Sequence, residues 1–223
     1  WIQEGWATFG EALWEEEAAR QDAINAGKDD TEAAAAARRA YIRQMRGNFR
    51  SSAMGGTRTS APEDPALASN LWNTPDLNFM KPNNPYARGA CVLHMLRERL
   101  GDEVFWRGMR LYLDRFKFDA VESNDLRNVL EEVSGESLER FFDQWVYRAG
   151  APKADVELDW QPAFEDDDDG PGTLTITLRQ VQTINADNPA YAMVVPMCCR
   201  FDNGSGEYLY LVTEEREASV SAR

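Results

Sequence analysis

The hydrophobic period of the chain changes from 3.6 residues to 2 at Gly150-Ala151-Pro152, and this change constrains the fold most. Before this point apolar residues recur at helical spacing. After it, residues 155–160 and 173–178 alternate strictly between polar and apolar side chains. The first pattern is typical of amphipathic helices and the second of half-buried strands. The sequence therefore predicts an α+β protein in two segregated parts, with a boundary near residue 151.

The first 150 residues predict a mainly helical domain. Helix-forming runs cover 2–26, 30–50, 86–100 and 102–118, and two shorter helices follow Ser123 and Ser137, which we predict as N-caps. Gly101 and Gly135 are predicted to end helices, because glycine adopts the left-handed conformation that often closes them. Repeated prolines between residues 51 and 85 exclude a long helix there, so that stretch is predicted to be an extended loop.

Residues 151–223 predict a small antiparallel β-sandwich. Short alternating runs are separated by turn sequences, among them four consecutive aspartates at 166–169, which indicate a solvated turn. Cys198 and Cys199 are adjacent in one predicted strand, so their side chains should point to opposite faces of the sheet. Three cysteines without a Cys-x-x-Cys pair indicate neither a disulfide framework nor a zinc ribbon.

The charge balance excludes some classes of partner. The chain has 24 basic and 38 acidic residues and a net charge of −14. Nucleic acids and anionic membranes both attract clustered lysine and arginine, so we expect neither as a partner. No apolar run approaches the roughly 20 residues that span a bilayer, and we predict no membrane segment. The cellular compartment stays open.

The first predicted helix has two distinct faces. An apolar face contains Ile2, Trp6, Phe9 and Leu13, and the opposite face contains Glu4, Thr8, Glu11 and Glu15. From periodicity alone, a stripe of glutamates opposite an apolar face indicates a solvated surface. A functional interpretation of Glu4 needs further support.

Three motifs, taken together, resemble the M1 family of zinc aminopeptidases, the gluzincins. They are Trp1-Ile2-Gln3-Glu4-Gly5-Trp6-Ala7-Thr8, Tyr86-Ala87-Arg88-Gly89-Ala90, and Phe141-Phe142-Asp143-Gln144-Trp145 followed by Gly150-Ala151-Pro152. The resemblance implies that residues 1–150 form the helical C-terminal half of a thermolysin-like catalytic domain. Residues 151–223 would then be the β-sandwich domain that follows it.

The resemblance also implies roles for individual residues. Glu4 falls on the position of the third zinc ligand, and Tyr86 on that of the catalytic tyrosine, whose phenol stabilises the oxyanion. Thr8 and Glu11 would orient Glu4 from the same helix. Gln3, Trp6 and Arg88 differ from the residues usual in the family, and the interval from Glu4 to Tyr86 is longer than expected.

A zinc site needs about three protein ligands, and this sequence does not contain them all. It has a single histidine, His94, and therefore no His-Glu-x-x-His motif. We expect that motif in an upstream catalytic segment of a longer enzyme that removes N-terminal residues from peptides. Alone, the 223 residues should hold no stoichiometric zinc and show no peptidase activity. We interpret His94 as an edge histidine near Glu98, not as a ligand.

Two alternatives stay open. A non-catalytic relative could use the same architecture as a scaffold for other proteins, which would account for a missing His-Glu-x-x-His motif. A hydrolase of the same family could act on a non-peptide substrate, as an epoxide-opening member does. Glu4 and Tyr86 favour an enzyme over a scaffold, but they do not distinguish between substrates.

Overall fold

The computed structural model describes residues 1–51, 66–68, 85–162, 172–200 and 206–222. The chain divides into two compact units, Trp1–Ala151 and Pro152–Arg223. Most of the loop predicted over 51–85, and the turn predicted at 166–169, lie outside the described residues. None of the described helices is both long enough and apolar enough to cross a membrane.

The first unit is built from helices. Among the described residues they are, in chain order, α1 (Ile2–Asn25), α2 (Asp30–Ser51), α3 (Pro85–Phe116), α4 (Ser123–Ser134) and α5 (Glu139–Phe142), which continues as a π-helical turn (Asp143–Tyr147). Within α3 the backbone of Gly101 leaves helical angles, with φ 75° and ψ 157°. The sequence predicted that a helix ends at Gly101, and the structure shows a second helical stretch that starts directly after it.

The predicted N-caps Ser123 and Ser137 are both wrong by one residue. The cap of α4 is Glu122, which forms a capping box with Asp125: each side chain accepts a hydrogen bond from the other residue's backbone N–H. The cap of α5 is Leu138. Ser123 Oγ instead accepts a hydrogen bond from the indole Nε1 of Trp1, at 2.9 Å. A side-chain carboxylate caps the start of a helix as effectively as a hydroxyl when the side chain three residues later accepts a hydrogen bond from the backbone N–H of the cap residue.

Aromatic side chains form the centre of the helical unit. Phe9 of α1 is fully buried and packs edge-on against Tyr41 of α2 and Phe105 of α3. Trp6, one turn earlier, contacts both Phe9 and Phe105. Offset and edge-on aromatic pairs of this kind add to the energy gained from burial alone. They hold α1 in a fixed position against α2 and α3.

The described strands of the second unit form two antiparallel sheets. The strands are β1 (Ala154–Gln161), β2 (Thr173–Gln180), β3 (Met193–Arg200), β4 (Gly206–Thr213) and β5 (Glu217–Ala222). A three-stranded sheet has the order β1-β2-β5, and a two-stranded sheet pairs β3 with β4. Its buried side chains include Ile176, Leu178, Leu209 and Leu211. The predicted α+β fold, helical first and antiparallel afterwards, is confirmed.

Candidate active site

Glu4 lies in the first turn of α1 and is half-buried. The turn is closed by a hydrogen bond from the N–H of Gly5 to the carbonyl of Trp1, at 2.7 Å. Gly5 is buried, while Gln3 on the other side of Glu4 is exposed. The Glu4 carboxylate therefore emerges at the edge between the packed face and the open face of α1.

Gly5 is where α1 crosses α3, and its partner there is Gly89. A Cβ added to Gly5 would lie 2.9 Å from the Cα of Gly89, and one added to Gly89 would lie 2.8 Å from the Cα of Gly5. Real Cβ atoms do not approach backbone this closely, so both positions require glycine. The two helices thus touch backbone to backbone at the glycines of the first two motifs.

Tyr86 is the second residue of α3, one turn before Gly89 on the same face of the helix. Glu4 directly precedes Gly5 on the other helix. The crossing therefore brings Glu4 and Tyr86 to within about one helical turn of a single contact point. The Tyr86 side chain is 38% exposed, so its ring is not simply packed into the core.

Arg88 links the second motif to the third. Its side chain is fully buried, and its guanidinium Nη2 donates to the carbonyls of Trp145, at 3.4 Å, and Arg148, at 3.3 Å. Carbonyl groups at the end of a helix are good acceptors for a cation, because several of them lack an intrahelical partner. Arg88 thereby ties the start of α3 to the end of the π-helical turn.

The described residues do not form a complete metal site. No group of three or more His, Cys, Asp or Glu side chains in the described part of the chain could hold a metal ion. Glu4 carries a carboxylate of the kind that zinc accepts, at a half-buried position. One carboxylate fits one corner of a tetrahedral site and does not retain the ion without further ligands.

The comparison with known protein families shows to which family the chain belongs. The family model described as the Peptidase family M1 domain matches residues 1–145. The chain belongs to peptidase family M1. The match covers the three motifs as far as Trp145, together with the Gly5–Gly89 crossing.

Several curated relatives of this M1 chain are aminopeptidases by name. Aminopeptidase N of Lactococcus lactis subsp. lactis is 37% identical over 73 residues, which are 33% of this chain and 9% of the relative. The mitochondrial aminopeptidase 2 of Saccharomyces cerevisiae is 25% identical over 136 residues, which are 60% of this chain and 13% of the relative. The matched regions thus span about a tenth of the length of these relatives.

A solved structure shares the fold of the M1 chain. It is aminopeptidase A of Legionella pneumophila, in complex with aspartic acid, with a TM-score of 0.54 and 13% sequence identity. The superposition covers 82% of this chain and 20% of that chain. At this identity the likeness shows the fold alone.

Thr8 and Glu11 differ in their surroundings. Thr8 is 8% exposed, whereas Glu11 is exposed and its Oε2 lies 3.4 Å from the side-chain nitrogen of Gln44 on α2. The stripe of polar residues on α1 is therefore solvated only from Glu11 onward. Periodicity alone did not reveal that its N-terminal end is packed, because that packing comes from helices distant in sequence.

His94 lies on α3, away from the motifs of the M1 chain. Its Nδ1 is 2.8 Å from the hydroxyl of Tyr41 and 3.7 Å from Oε1 of Glu98, which also pairs with Arg38 at 2.7 Å. Burial lowers the pKa of His94, and Arg38 and Arg97 lower it further against the opposing effect of Glu98. His94 is thus part of a network that joins α2 to α3.

An open groove of about 1300 Å³ lies beside the start of α1. Its lining includes Trp1, Ile2 and Trp6 together with Tyr112 and Tyr147. Neither Glu4 nor Tyr86 belongs to the lining. Ile2 and Trp6 lie on the helix face opposite Glu4, whereas Gln3, which precedes Glu4 in the sequence, also lines the groove.

Proposed function

We propose that this chain is part of a zinc-dependent aminopeptidase that removes N-terminal residues from peptides. Glu4 acts as a zinc ligand and Tyr86 as the hydrogen-bond donor to the oxyanion. Residues 1–150 form the helical C-terminal part of the catalytic domain, and residues 151–223 form a β-sandwich domain. Family membership and the aminopeptidase names of the relatives support this proposal.

The observation that carries the proposal is the contact between Gly5 and Gly89. Two residues that are 82 positions apart in sequence, Glu4 and Tyr86, share one helix crossing because these glycines let the backbones touch. A metal ligand and an oxyanion donor must act on the same substrate carbonyl, so they have to be close. A scaffold protein would have no need for this proximity.

Glu4 would hold the metal through a carboxylate oxygen. When bound, zinc supplies a Lewis acid that polarises the carbonyl of the scissile peptide bond. The two remaining ligands and the general base come from outside these 223 residues, in an upstream segment with the His-Glu-x-x-His motif. The isolated chain is accordingly expected to be inactive.

Tyr86 would stabilise the charge that develops on the substrate carbonyl oxygen. Its partly exposed phenol can reach a bound peptide, and its position at the start of α3 is fixed by the crossing at Gly89. Removal of one preorganised donor of this kind lowers kcat about 10²–10³-fold. Thr8 and Glu11, one and two turns further along α1, help to orient Glu4.

The test uses the chain joined to the sequence that precedes it in its own gene. Zinc content is measured by mass spectrometry after dialysis, and hydrolysis of aminoacyl-p-nitroanilides is measured at saturating zinc. We expect about one zinc per protein, lost in Glu4→Gln and kept in Tyr86→Phe, with activity lost in both. Glu15→Gln, an exposed acid on the same helix, is the matched control and should change neither quantity.

Three results would contradict the proposal. Zinc retained at full stoichiometry in Glu4→Gln would show that Glu4 is not a ligand. An unchanged kcat in Tyr86→Phe would remove the tyrosine from the reaction. Absence of a His-Glu-x-x-His motif in the preceding sequence, together with absence of bound zinc, would favour the non-catalytic scaffold.

A further inference from the structure

Trp1 connects the start of α1 to a helix that is distant in sequence. Its indole Nε1 donates to Oγ of Ser123, the first residue of α4, at 2.9 Å. Both residues are half-buried, so water competes only in part for this hydrogen bond. The two residues are 122 positions apart in the sequence. We call this contact the Trp1–Ser123 tether.

The hydroxyl of Ser123 is available for the tether because another residue caps α4. Glu122 occupies the N-cap position and forms the capping box with Asp125. A serine at the start of a helix commonly caps that helix with its own side chain. Here the serine hydroxyl accepts from the indole instead. Ser123 thus contributes a contact to α1 and not a cap to α4.

The turn that carries Ser123 is itself held in place. The next residue, Asn124, accepts a hydrogen bond from the hydroxyl of Tyr147 at 3.0 Å. Further along α4, Leu130 packs closely on α3, because a Cβ added to Gly108 would lie 2.7 Å from its Cδ2. The α4 end of the tether is therefore a fixed point.

The first turn of α1 has no cap from its own N-cap residue. Trp1 occupies the N-cap position, and its side chain makes no capping hydrogen bond. An indole has a donor but no acceptor, so it cannot satisfy the free N–H groups of the first turn. Helix ends of this kind open more readily than the middle of a helix. Contacts from outside α1 therefore determine how firmly the turn is held.

Glu4 lies between two such contacts. Gly5, which follows it, meets the backbone of Gly89 on α3. Trp1, which precedes it by three residues, accepts a hydrogen bond from the N–H of Gly5 at 2.7 Å through its carbonyl. The crossing at Gly5 fixes one point of the helix, and the tether fixes a second point one turn earlier. Together they fix the direction of the turn that carries the carboxylate.

We propose that Ser123 is a positioning residue for Glu4 and that it acts through Trp1. This role rests on the proposed function, in which Glu4 is a zinc ligand. Metal affinity depends on how precisely each ligand is held, and loss of a group that orients a ligand directly lowers it about 10–100-fold. Since Ser123 acts through the backbone of α1, we expect a smaller effect, of about 3–10-fold.

Hydrogen exchange of the Gly5 amide tests the tether without any metal. This amide donates to the Trp1 carbonyl, so opening of the first turn exposes it to water. Its native-state exchange, measured by NMR, should be about 3–10-fold faster in Ser123→Ala and return to the native rate in Ser123→Thr, which keeps the hydroxyl. Ser134→Ala, at the other end of α4, is the matched control and should leave the rate unchanged.

The zinc Kd tests the consequence for Glu4. It is measured by chelator competition in the chain joined to the sequence that precedes it. We expect a Kd raised about 3–10-fold in Ser123→Ala and in Trp1→Phe, and restored in Ser123→Thr. The double variant Trp1→Phe, Ser123→Ala should show no further rise, because both changes remove the same hydrogen bond.

The outcomes separate this role from the proposed function. An unchanged Gly5 exchange rate in Ser123→Ala would overturn the role, and so would an unchanged zinc Kd in that variant when Glu4→Gln loses zinc. Both results would leave the proposed function intact. Additive effects in the double variant would show that Ser123 does not act through Trp1. A joined protein that holds no zinc would contradict the proposed function and this role with it.

Discussion

Gly5 and Gly89 meet so closely that a Cβ on Gly89 would lie 2.8 Å from the Cα of Gly5 and 3.3 Å from the carbonyl oxygen of Trp1. Backbone atoms cannot move aside as the end of a side chain can. We therefore expect Gly89→Ala to separate α1 from α3 and to lower the free energy of unfolding by about 1–3 kcal/mol. Urea denaturation followed by tryptophan fluorescence measures this change.

Gly10 provides the control for that experiment. It lies in the middle of α1, and a Cβ there would meet no atom within 4 Å. Since alanine is the better helix former, Gly10→Ala should raise the free energy of unfolding by about 0.5–1 kcal/mol. If both substitutions shift stability in the same direction, the crossing is not as close as described.

Arg97 is predicted to be the most sensitive charged residue of the helical unit. It is buried, donates to Glu16 at 2.9 Å and to Asp102 at 2.7 Å, and stacks over the rings of Tyr41 and Trp106. Lysine cannot reproduce this fork of hydrogen bonds. We expect Arg97→Lys to lower the free energy of unfolding by about 2 kcal/mol, measured by urea denaturation.

The control for Arg97 is an exposed ion pair. Arg115 and Glu132 make a comparable two-point contact on the surface, where solvent screens it. Arg115→Lys should leave the urea midpoint unchanged. Equal losses in the two variants would show that burial of Arg97 contributes nothing.

Asp102 should make stability depend on pH in the acid range. Its hydrogen bonds from Arg97 lower the pKa of the carboxyl in the folded protein. The stabilisation is therefore complete above the unfolded pKa of about 3.9 and is lost as the pH falls through the lower folded value. Asp102→Asn should flatten urea midpoints over this window, whereas Asp114→Asn, at an exposed acid of the same helix, should not.

The sequence predicted the order and type of the elements because hydrophobic period is a local property. The helices and strands begin and end near the predicted residues, and the change of period falls between Tyr147 and Ala154. Long periodic segments are determined mainly by which face they bury. Local pattern was therefore enough for the α+β fold.

Contacts between segments that are distant in sequence could not be predicted from the hydrophobic period. Arg88 could be recognised only as a departure from the residue usual in the family, yet it is fully buried and donates to the carbonyls of Trp145 and Arg148. The partner of Gly5 was equally hidden, because nothing local to either glycine identifies the other. The positions of Glu4 and Tyr86 in the sequence came from motifs, and the Gly5–Gly89 contact beside them came only from the structure.

His94 gives a prediction that is unusually direct to measure, because it is the only histidine in the sequence. Burial raises the pKa of Tyr41, so its phenol stays protonated and is able to donate to Nδ1 of the neutral imidazole, 2.8 Å away. Burial, with Arg38 and Arg97, also lowers the pKa of His94. We expect the imidazole to titrate below its usual value of about 6.5 in ¹H–¹⁵N NMR spectra.

The consequence for stability follows from the sign of that shift. The folded state binds the proton less readily than the unfolded state, so the stabilisation is complete above about pH 6.5 and is lost as the pH falls through the folded pKa. His94→Gln should remove this part of the pH dependence. Tyr41→Phe deletes the donor that favours the neutral ring and should raise the pKa of His94. A pKa of His94 at or above 6.5 in the native chain, or a pKa that Tyr41→Phe leaves unchanged, would contradict the network.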